Sequence, residues 1–127
     1  MAKDTQIKFC GLTRSGDVDT AVGLGVNWFG LVHFKKSPRH LDLQAGHDLS
    51  EHIDSMVGCN GIVALMVNPS DDEFITVQRA WKPAIVQLHG SETPERIEEL
   101  KALQRGVQFW KAMPVHGPED LQGLDTF

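Results

Sequence analysis

The chain has 127 residues, of which 41% are hydrophobic and 23% are charged, and its formal net charge at pH 7 is −5. This composition is ordinary for a globular domain, and the negative charge argues against nucleic-acid binding through bulk positive charge. The longest apolar stretch, residues 61–67, is too short to span a membrane, and the N-terminus lacks the apolar core of a signal peptide. The two cysteines, Cys10 and Cys59, form no disulfide framework, so we expect a cytoplasmic protein.

Short apolar runs alternate with amphipathic, helix-like segments along the whole chain. We predict five strands, at Gln6–Gly11, Trp28–Phe34, Gly61–Val67, Ala84–His89 and Val107–Val115. Strands that alternate with helices indicate a parallel sheet built from βα units. No linker or change of composition divides the sequence, so we predict a single α/β domain over residues 1–127.

The segments between the strands carry helix signals. Ser70 has the spacing of a capping box, and Thr93 directly precedes Pro94, the order expected at a helix start. The helix after the second strand is weakened by Gly46, since glycine lowers helix propensity. We expect a last helix to begin near Pro118.

Five βα units fit two architectures. One is a complete flavodoxin-like sheet, and the other is five of the eight units of a TIM (β/α)8 barrel. Periodicity does not choose between them. In both architectures ligands bind at the carboxyl ends of the parallel strands, so candidate functional residues are sought there.

The first strand offers a thiol beside a lysine. Side chains alternate along a strand, so Lys8 and Cys10 share one face. A nearby ammonium group favours the thiolate that a cysteine base or nucleophile needs. The alternative is that Cys10 is a buried, inert thiol, as free cysteines commonly are.

Polar residues also end the second and fourth strands. Lys36 and Arg39 flank a Ser-Pro turn, a pattern that suits either an anion site or a solvated loop. Gln87 and His89 share one face of the fourth strand, and two polar side chains on an interior face need partners, which favours a site.

The fifth strand carries Lys111 between apolar neighbours. A buried lysine either pairs or faces a polar interior, and we place it on the interior face with Lys8 and Gln87. Phe109 and Trp110 are predicted core residues. No histidine pair has metal-ligand spacing and no nucleotide or phosphate loop motif occurs, so we predict no metal.

Five of these stretches together resemble the phosphoribosylanthranilate isomerase family. The family has a Lys-aliphatic-Cys-Gly-aliphatic-Thr strand, a Lys-Ser-x-Arg loop, a Val-Asn strand end, a Val-Gln-Leu-His-Gly strand and a Lys-Ala pair. The matching stretches occur in the same order at Lys8–Thr13, Lys36–Arg39, Val67–Asn68, Val86–Gly90 and Lys111–Ala112. Any one of these motifs alone would be a weak signal.

The resemblance implies a barrel enzyme of tryptophan biosynthesis that carries out an Amadori rearrangement, from an aminoaldose to an aminoketose. It implies that Cys10 is the general base and that Arg39 receives the anthranilate carboxylate of a small phosphorylated substrate. It further implies that Gln87, His89 and Lys8 line the substrate pocket. No metal or organic cofactor, nucleic acid or membrane partner is implied.

Some features depart from the family pattern. His33 stands in a run that is usually aliphatic or aromatic, and Phe9 replaces an aliphatic residue. The family's general acid is an Asp that ends a sixth strand, and Asp125 lies in the wrong element to replace it. A complete barrel has about 250 residues, so we expect a fragment that is inactive alone.

Two alternatives stay open: a non-catalytic flavodoxin-like binding module, and a half-barrel that self-associates through its open sheet edges. The first is disfavoured because the segment after the first strand has neither a Gly/Ser-rich loop nor an acidic pair. A partial sequence is the explanation we favour, because open sheet edges are costly.

Overall fold

The computed structural model describes residues 5–56 and 61–127. Strands and helices alternate through the chain, and each of the first four strands is followed by a helix. In chain order the elements are β1 Lys8–Cys10, α1 Ser15–Gly23, β2 Trp28–His33, α2 Leu43–Asp54, β3 Gly61–Met66, α3 Asp71–Trp81, β4 Ile85–Leu88, α4 Pro94–Leu103 and β5 Gln108–Lys111. Two short 3₁₀ turns, Pro118–Leu121 and Leu124–Thr126, follow β5.

The five strands form one parallel sheet in the consecutive order β1-β2-β3-β4-β5. Flavodoxin-like sheets place the first strand between the second and third, whereas barrel units pair each strand with the next along the chain. The flavodoxin-like alternative is therefore wrong, and the chain folds as (β/α) units of the barrel type.

The sheet curves strongly, because residues of distant strands meet across its concave face. The side chain of Lys8 on β1 donates a hydrogen bond to Oε1 of Gln87 on β4. The rings of Trp28 on β2 and Trp110 on β5 lie 6.5 Å apart in an edge-to-face arrangement. Contacts between non-adjacent strands require the sheet to roll up, as it does in a barrel.

The convex face of the sheet packs against the helices and forms the main hydrophobic core. Phe29, Leu31, Met66 and Leu88 point outward from their strands and are fully or almost fully buried. The helices contribute the residues that cover them, Val18, Ala21, Leu49, Ile53, Phe74, Val77, Trp81, Ile97 and Leu100. Burying these apolar surfaces is the main force that holds the helices on the sheet.

The predicted helix starts are confirmed. Oγ of Ser70 accepts a hydrogen bond from the backbone N–H of Glu73, and Oγ1 of Thr93 accepts one from Arg96. Each bond satisfies one of the free N–H groups at the start of a helix.

Gly46 lowers the helix propensity of α2 but allows α3 to pack closely against it. A methyl group at Gly46 would lie 2.0 Å from the ring of Trp81, which α3 packs against it. The indole N–H of Trp81 donates to the carbonyl of Leu43, so the ring is fixed against the first turn of α2. Helix packing explains a glycine that local propensity disfavours.

Three sequence-based predictions at the C-terminal part need correction. β5 covers only Gln108–Lys111 of the predicted Val107–Val115, and the last helix is replaced by the two 3₁₀ turns. Phe109 does pack against the core and stacks on Phe74, but Trp110 lies on the concave face and is 38% exposed. Its neighbours on that face, Lys8 and Trp28, cover it only in part.

In the part of the chain that the structure describes, β1 pairs with β2 alone and β5 with β4 alone. Both ends of the sheet are thus open edges, and exposed apolar side chains lie beside them, Phe9 at 41% and Trp110 at 38% exposure. In the same residues no helix is long and apolar enough to cross a membrane.

Candidate active site

A cavity of about 380 Å³ lies at the carboxyl ends of the strands, on the concave side of the sheet. It brings together the ends of β1, β2, β3 and β4 with the loop that follows β2. Three predicted site residues, Cys10, Arg39 and His89, line it with Val32, Phe34, Ser37, Leu65 and Val67. Apolar walls with a few convergent polar groups are typical of small-molecule sites.

Cys10 ends β1 and is exposed to solvent, so it is not the buried, inert thiol of the alternative interpretation. Gly30, its register partner on β2, makes room for it. A methyl group at Gly30 would lie 3.0 Å from Sγ of Cys10 and 3.0 Å from Cε of Lys8. The thiol and the lysine stem therefore both lie against Gly30, on the concave face, as the alternation of side chains predicts.

Gly11 makes room for the side chain of Arg39, as Gly30 does for Cys10. It has a φ of +82°, a conformation that side chains rarely adopt, and a methyl group there would lie 2.6 Å from Cδ of Arg39. The side chain of Arg39 therefore lies directly against Gly11, the residue after Cys10. Arg39 is exposed and lines the same cavity as the thiol, so its guanidinium can reach a ligand there.

Lys8 and Gln87 form a polar pair deeper in the concave face. Besides its bond to Gln87, the Lys8 ammonium lies 5.9 Å from the ring centre of Trp110. Neither residue lines the cavity that Cys10 and Arg39 share. The structure therefore places them below the cavity, toward the middle of the sheet.

His89 follows β4 at the cavity wall. Burial lowers its pKa below the ordinary value of 6.5, and the positive charges of Lys8 and Lys111 lower it further, against the smaller opposing effect of Glu92. The imidazole is therefore neutral at pH 7. A neutral ring carries one donor and one acceptor, which suits hydrogen bonds to a hydroxyl group.

Lys111 is not on the concave face, contrary to the sequence-based prediction. It pairs in register with Leu88, which points into the convex core, so Lys111 points the same way. Its ammonium group donates to Glu92 at 3.0 Å and to the carbonyl of Gly90 at 2.5 Å. Of the two possibilities for a buried lysine, a partner or a polar interior, the structure shows the partner.

Glu92 is a residue whose role the sequence did not reveal. Its side chain is only 1% exposed and accepts hydrogen bonds from the backbone N–H groups of Asn68, at 2.6 Å, and Gly90, at 3.3 Å. Asn68, which has a φ of 44°, in turn accepts from Ser91. This network joins the carboxyl ends of β3, β4 and β5 and fixes the turn that carries His89.

The protonation of Glu92 is expected to change stability in acid. Burial alone would raise the pKa of this carboxyl, but the Asn68 N–H and the Lys111 ammonium outweigh burial and hold the pKa below its usual 4.5. A lowered pKa stabilises the fold fully above about pH 4.5, and this stabilisation is lost as pH falls from there through the folded-state pKa. We expect the native chain to exceed Glu92→Gln in free energy of unfolding at pH 7, with the difference shrinking below pH 4.5.

Urea unfolding of both chains between pH 7 and pH 3 measures this difference. Gln keeps the shape of the protonated acid, so the comparison isolates the charge. A difference that stays constant across this range would show that the ionised carboxylate does not stabilise the network.

The cavity contains a thiol, a guanidinium and an imidazole, but none of the residues that line it in the described structure is a carboxylate. Within residues 5–56 and 61–127 no group of three His, Cys, Asp or Glu side chains is arranged to hold a metal ion. Cys59 lies outside the described residues. The guanidinium of Arg39 can bind an anion, and the thiol of Cys10, once ionised, can accept a proton.

Five parallel strands in barrel order, the first four each followed by a helix, carry a thiol and an arginine at their carboxyl ends and define a site of the (β/α)8-barrel type. Residues 7–124 match the family model for N-(5'-phosphoribosyl)anthranilate isomerase. The chain belongs to this family.

Individual proteins of this family are also similar to the chain. An N-(5'-phosphoribosyl)anthranilate isomerase from Azorhizobium caulinodans is 40% identical over 96% of this chain and 52% of its own length. A crystal structure of monomers generated from the dimeric isomerase of Thermotoga maritima is similar with a TM-score of 0.79, at 26% identity over 92% of this chain and 57% of that one. A further crystal structure, 24% identical with the same coverage and a TM-score of 0.81, holds reduced 1-(o-carboxyphenylamino)-1-deoxyribulose 5-phosphate. The chain spans about half the length of the curated relatives it matches.

Proposed function

We propose that this chain carries the proton-abstracting and carboxylate-binding half of an N-(5'-phosphoribosyl)anthranilate isomerase site, in tryptophan biosynthesis in the cytoplasm. The observation that carries the proposal is the meeting of Cys10 and Arg39 in one cavity, with the guanidinium stem packed over Gly11. Family membership supplies the substrate: an aryl carboxylate, a ribose ring and a phosphate.

In this proposal Cys10 is the general base. Protonation of the ribose ring oxygen opens the ring to a Schiff base, and the thiolate of Cys10 then removes the proton from C2. The electron pair of that C–H bond forms a C1=C2 double bond, and the π pair of the C1=N bond moves onto nitrogen. The resulting enolamine becomes the ketone of the product when C1 takes up a proton and the C2 hydroxyl loses one. Cys10 is exposed at the cavity, as a residue that meets the substrate must be.

Arg39 holds the substrate by its carboxylate. The fork of a guanidinium donates two parallel hydrogen bonds to a carboxylate and fixes its orientation. With its carboxylate on Arg39, the aryl ring of the substrate would meet the apolar residues that line the same cavity, among them Phe34 and Val67. The neutral imidazole of His89 is then available to a ribose hydroxyl, while Lys8 and Gln87 support the floor of the site from below.

We expect the chain alone to have no measurable turnover. The described cavity offers no carboxylic acid to protonate the ring oxygen, and its residues Cys10 and His89 face solvent, which weakens electrostatic catalysis. The experiment compares the chain with a hybrid in which it is joined to the part of the Azorhizobium caulinodans relative that it does not match. Loss of the substrate's anthranilate fluorescence measures turnover.

The hybrid is expected to consume substrate and the chain alone is not. Turnover by the chain alone at the rate of the hybrid would contradict the claim that the acid lies outside the described cavity. A hybrid that folds, by circular dichroism and a cooperative melt, but does not turn over substrate would contradict the proposed function.

We also propose that the isolated chain self-associates through its open edges. Unpaired strand edges present free N–H and C=O groups, and here Phe9 and Trp110 add exposed apolar surface beside them. Sedimentation equilibrium is expected to give a mass that rises above 14.1 kDa with concentration. A mass that stays at this value throughout would exclude self-association.

A further inference from the structure

His33 departs from the family pattern, and its position beside the loop after β2 indicates a structural role. It ends β2 on the convex side of the sheet, because its register partner is Met66, which points into the core. The imidazole therefore points away from Cys10 and does not line the cavity at Cys10. It lies beneath the loop of residues 34–42 that joins β2 to α2 and carries Arg39.

The loop folds back onto β2 through backbone contacts. The N–H of Leu41 donates to the carbonyl of Val32 at 2.8 Å, and Val32 and His40 form an isolated parallel bridge. Nδ1 of His33 lies 3.0 Å from the carbonyl of Leu41. A carbonyl only accepts, so Nδ1 carries the proton and donates. Leu41 is 5% exposed, so losing this donor would leave a buried carbonyl without its partner.

The imidazole of His33 is itself held in place on three sides. Its ring lies edge-on to the indole of Trp81 with 5.5 Å between ring centres, and it is 4.9 Å from the ring of His40. Nε2 lies 3.8 Å from the carboxylate of Glu73 on α3. Because these neighbours fix the imidazole, its hydrogen bond to the carbonyl of Leu41 can hold the loop in place.

We propose that His33 is a positioning residue, which sets the place of Arg39 in the cavity by holding the carbonyl of Leu41. Only His40 separates Leu41 from Arg39, and the turn before it is short: the N–H groups of Arg39 and His40 donate to the side chain and the carbonyl of Ser37. A shift at Leu41 is therefore transmitted to the guanidinium. This inference rests on the proposed function only for the role of Arg39.

His40 adds a pH dependence to the same loop. Its Nδ1 is buried and has no hydrogen-bond partner among the described residues. Burial lowers the pKa of His40, and His33 and Lys35 lower it further, against the opposing charges of Asp42 and Glu73. A lowered pKa means that the neutral form of His40 stabilises the folded loop fully above about pH 6.5. This stabilisation is lost as pH falls below that value and the imidazole takes up a proton.

The test compares three variants of this chain by amide hydrogen exchange at Leu41, corrected for intrinsic exchange rates. His33→Leu removes the donor and should lower the protection of the Leu41 amide by roughly ten-fold. His33→Asn places an amide N–H near the position of Nδ1 and should restore most of it. Glu73→Gln, which leaves the Nδ1 donor of His33 in place, is the matched control and should change protection little above pH 7, where the charge of Glu73 does not alter the neutral state of His40. Protection in the native chain should fall on acidification below about pH 6.5.

The same variants in the hybrid test the link to Arg39. His33→Leu should raise the KM about ten-fold with kcat nearly unchanged, and His33→Asn should bring the KM back. Unchanged protection of Leu41 in His33→Leu would overturn the proposal, and so would lost protection with an unchanged KM. A folded hybrid without turnover would instead refute the proposed function, and the exchange data would still decide whether His33 holds the loop.

Discussion

Replacement of Lys111 by methionine is expected to cost about 3–5 kcal/mol of the free energy of unfolding, the usual loss when one partner of a buried ion pair is removed. The side chains of Lys111 and Glu92 are 11% and 1% exposed, so solvent cannot replace the lost ammonium group. Methionine is close to lysine in length and fills most of the space. The lost free energy of unfolding therefore comes from the charge left unpaired on Glu92 and not from a cavity.

The matched control is Lys101→Met. Lys101 also pairs with a glutamate at 3.0 Å, but the two side chains are 48% and 72% exposed, so the substitution is expected to cost about 1 kcal/mol or less. Urea unfolding at pH 7 measures both losses. Equal losses in the two variants would show that burial of the Glu92–Lys111 pair has no energetic consequence.

A double variant separates the pair from its surroundings. Glu92→Gln removes the charge that Lys111→Met leaves behind, so the double variant should be more stable than Lys111→Met alone. Lower stability of the double variant would indicate that the hydrogen bonds of Glu92 to Asn68 and Gly90, and not the ion pair, are its main contribution.

Replacement of Cys10 by serine in the hybrid is expected to lower kcat by roughly 100- to 10,000-fold, the range that a positioned general base contributes. Serine is nearly the same size as cysteine but holds its proton far more tightly, so it cannot remove the proton from C2. Arg39 and the apolar wall of the cavity are unchanged, so the KM should change little.

Cys59→Ser is the control for the loss of a thiol as such, since Cys59 is the other cysteine of the sequence. It is expected to leave kcat within about two-fold of the unmodified hybrid, far from the range of a catalytic base. A Cys10→Ser hybrid with the kcat of the unmodified hybrid would assign proton abstraction to another group.

Local patterns were sufficient to predict the parts of the fold that local forces determine. The apolar runs predict β2 and β3 with bounds that agree with the structure to within one residue, and the capping residues Ser70 and Thr93 mark the starts of α3 and α4. Gly46 shows the limit of this approach. Its cost to the helix is visible in the sequence, but the ring of Trp81 that requires it belongs to another helix, 35 residues along the chain.

The face of a strand depends on its register with its neighbours, which no single strand reveals. Alternation shows that Lys111 and Trp110 point to opposite faces, but only the pairing of Lys111 with Leu88 shows which face is which. Two predictions failed together for this reason: Lys111 belongs to the convex side and Trp110 to the concave side. The sequence signal was present in Glu92, a carboxylate near the end of β4 that could partner a buried lysine.

Of the five residues predicted for the site, Cys10, Arg39 and His89 meet in one cavity, whereas Lys8 and Gln87 do not line it. Cys10, Arg39 and His89 follow three different strands, and parallel strands bring their carboxyl ends together. The space for them comes from Gly30, whose role depends on the pairing of β1 with β2, and from Gly11, whose role depends on the loop after β2 folding over β1. Lys8 and Gln87 each come two residues before a residue that lines the cavity, so they lie below it on the same face.

The central claim is that the cavity between Cys10, Arg39 and His89 receives the substrate. A crystal structure of the hybrid with reduced 1-(o-carboxyphenylamino)-1-deoxyribulose 5-phosphate, the compound held by one of the similar crystal structures, tests it most directly. We expect the aryl carboxylate to accept two hydrogen bonds from Arg39 and Sγ of Cys10 to face the sugar-derived chain of the ligand. A ligand whose carboxylate lies on another cation, with Arg39 in solvent and Cys10 out of contact, would contradict the proposed site.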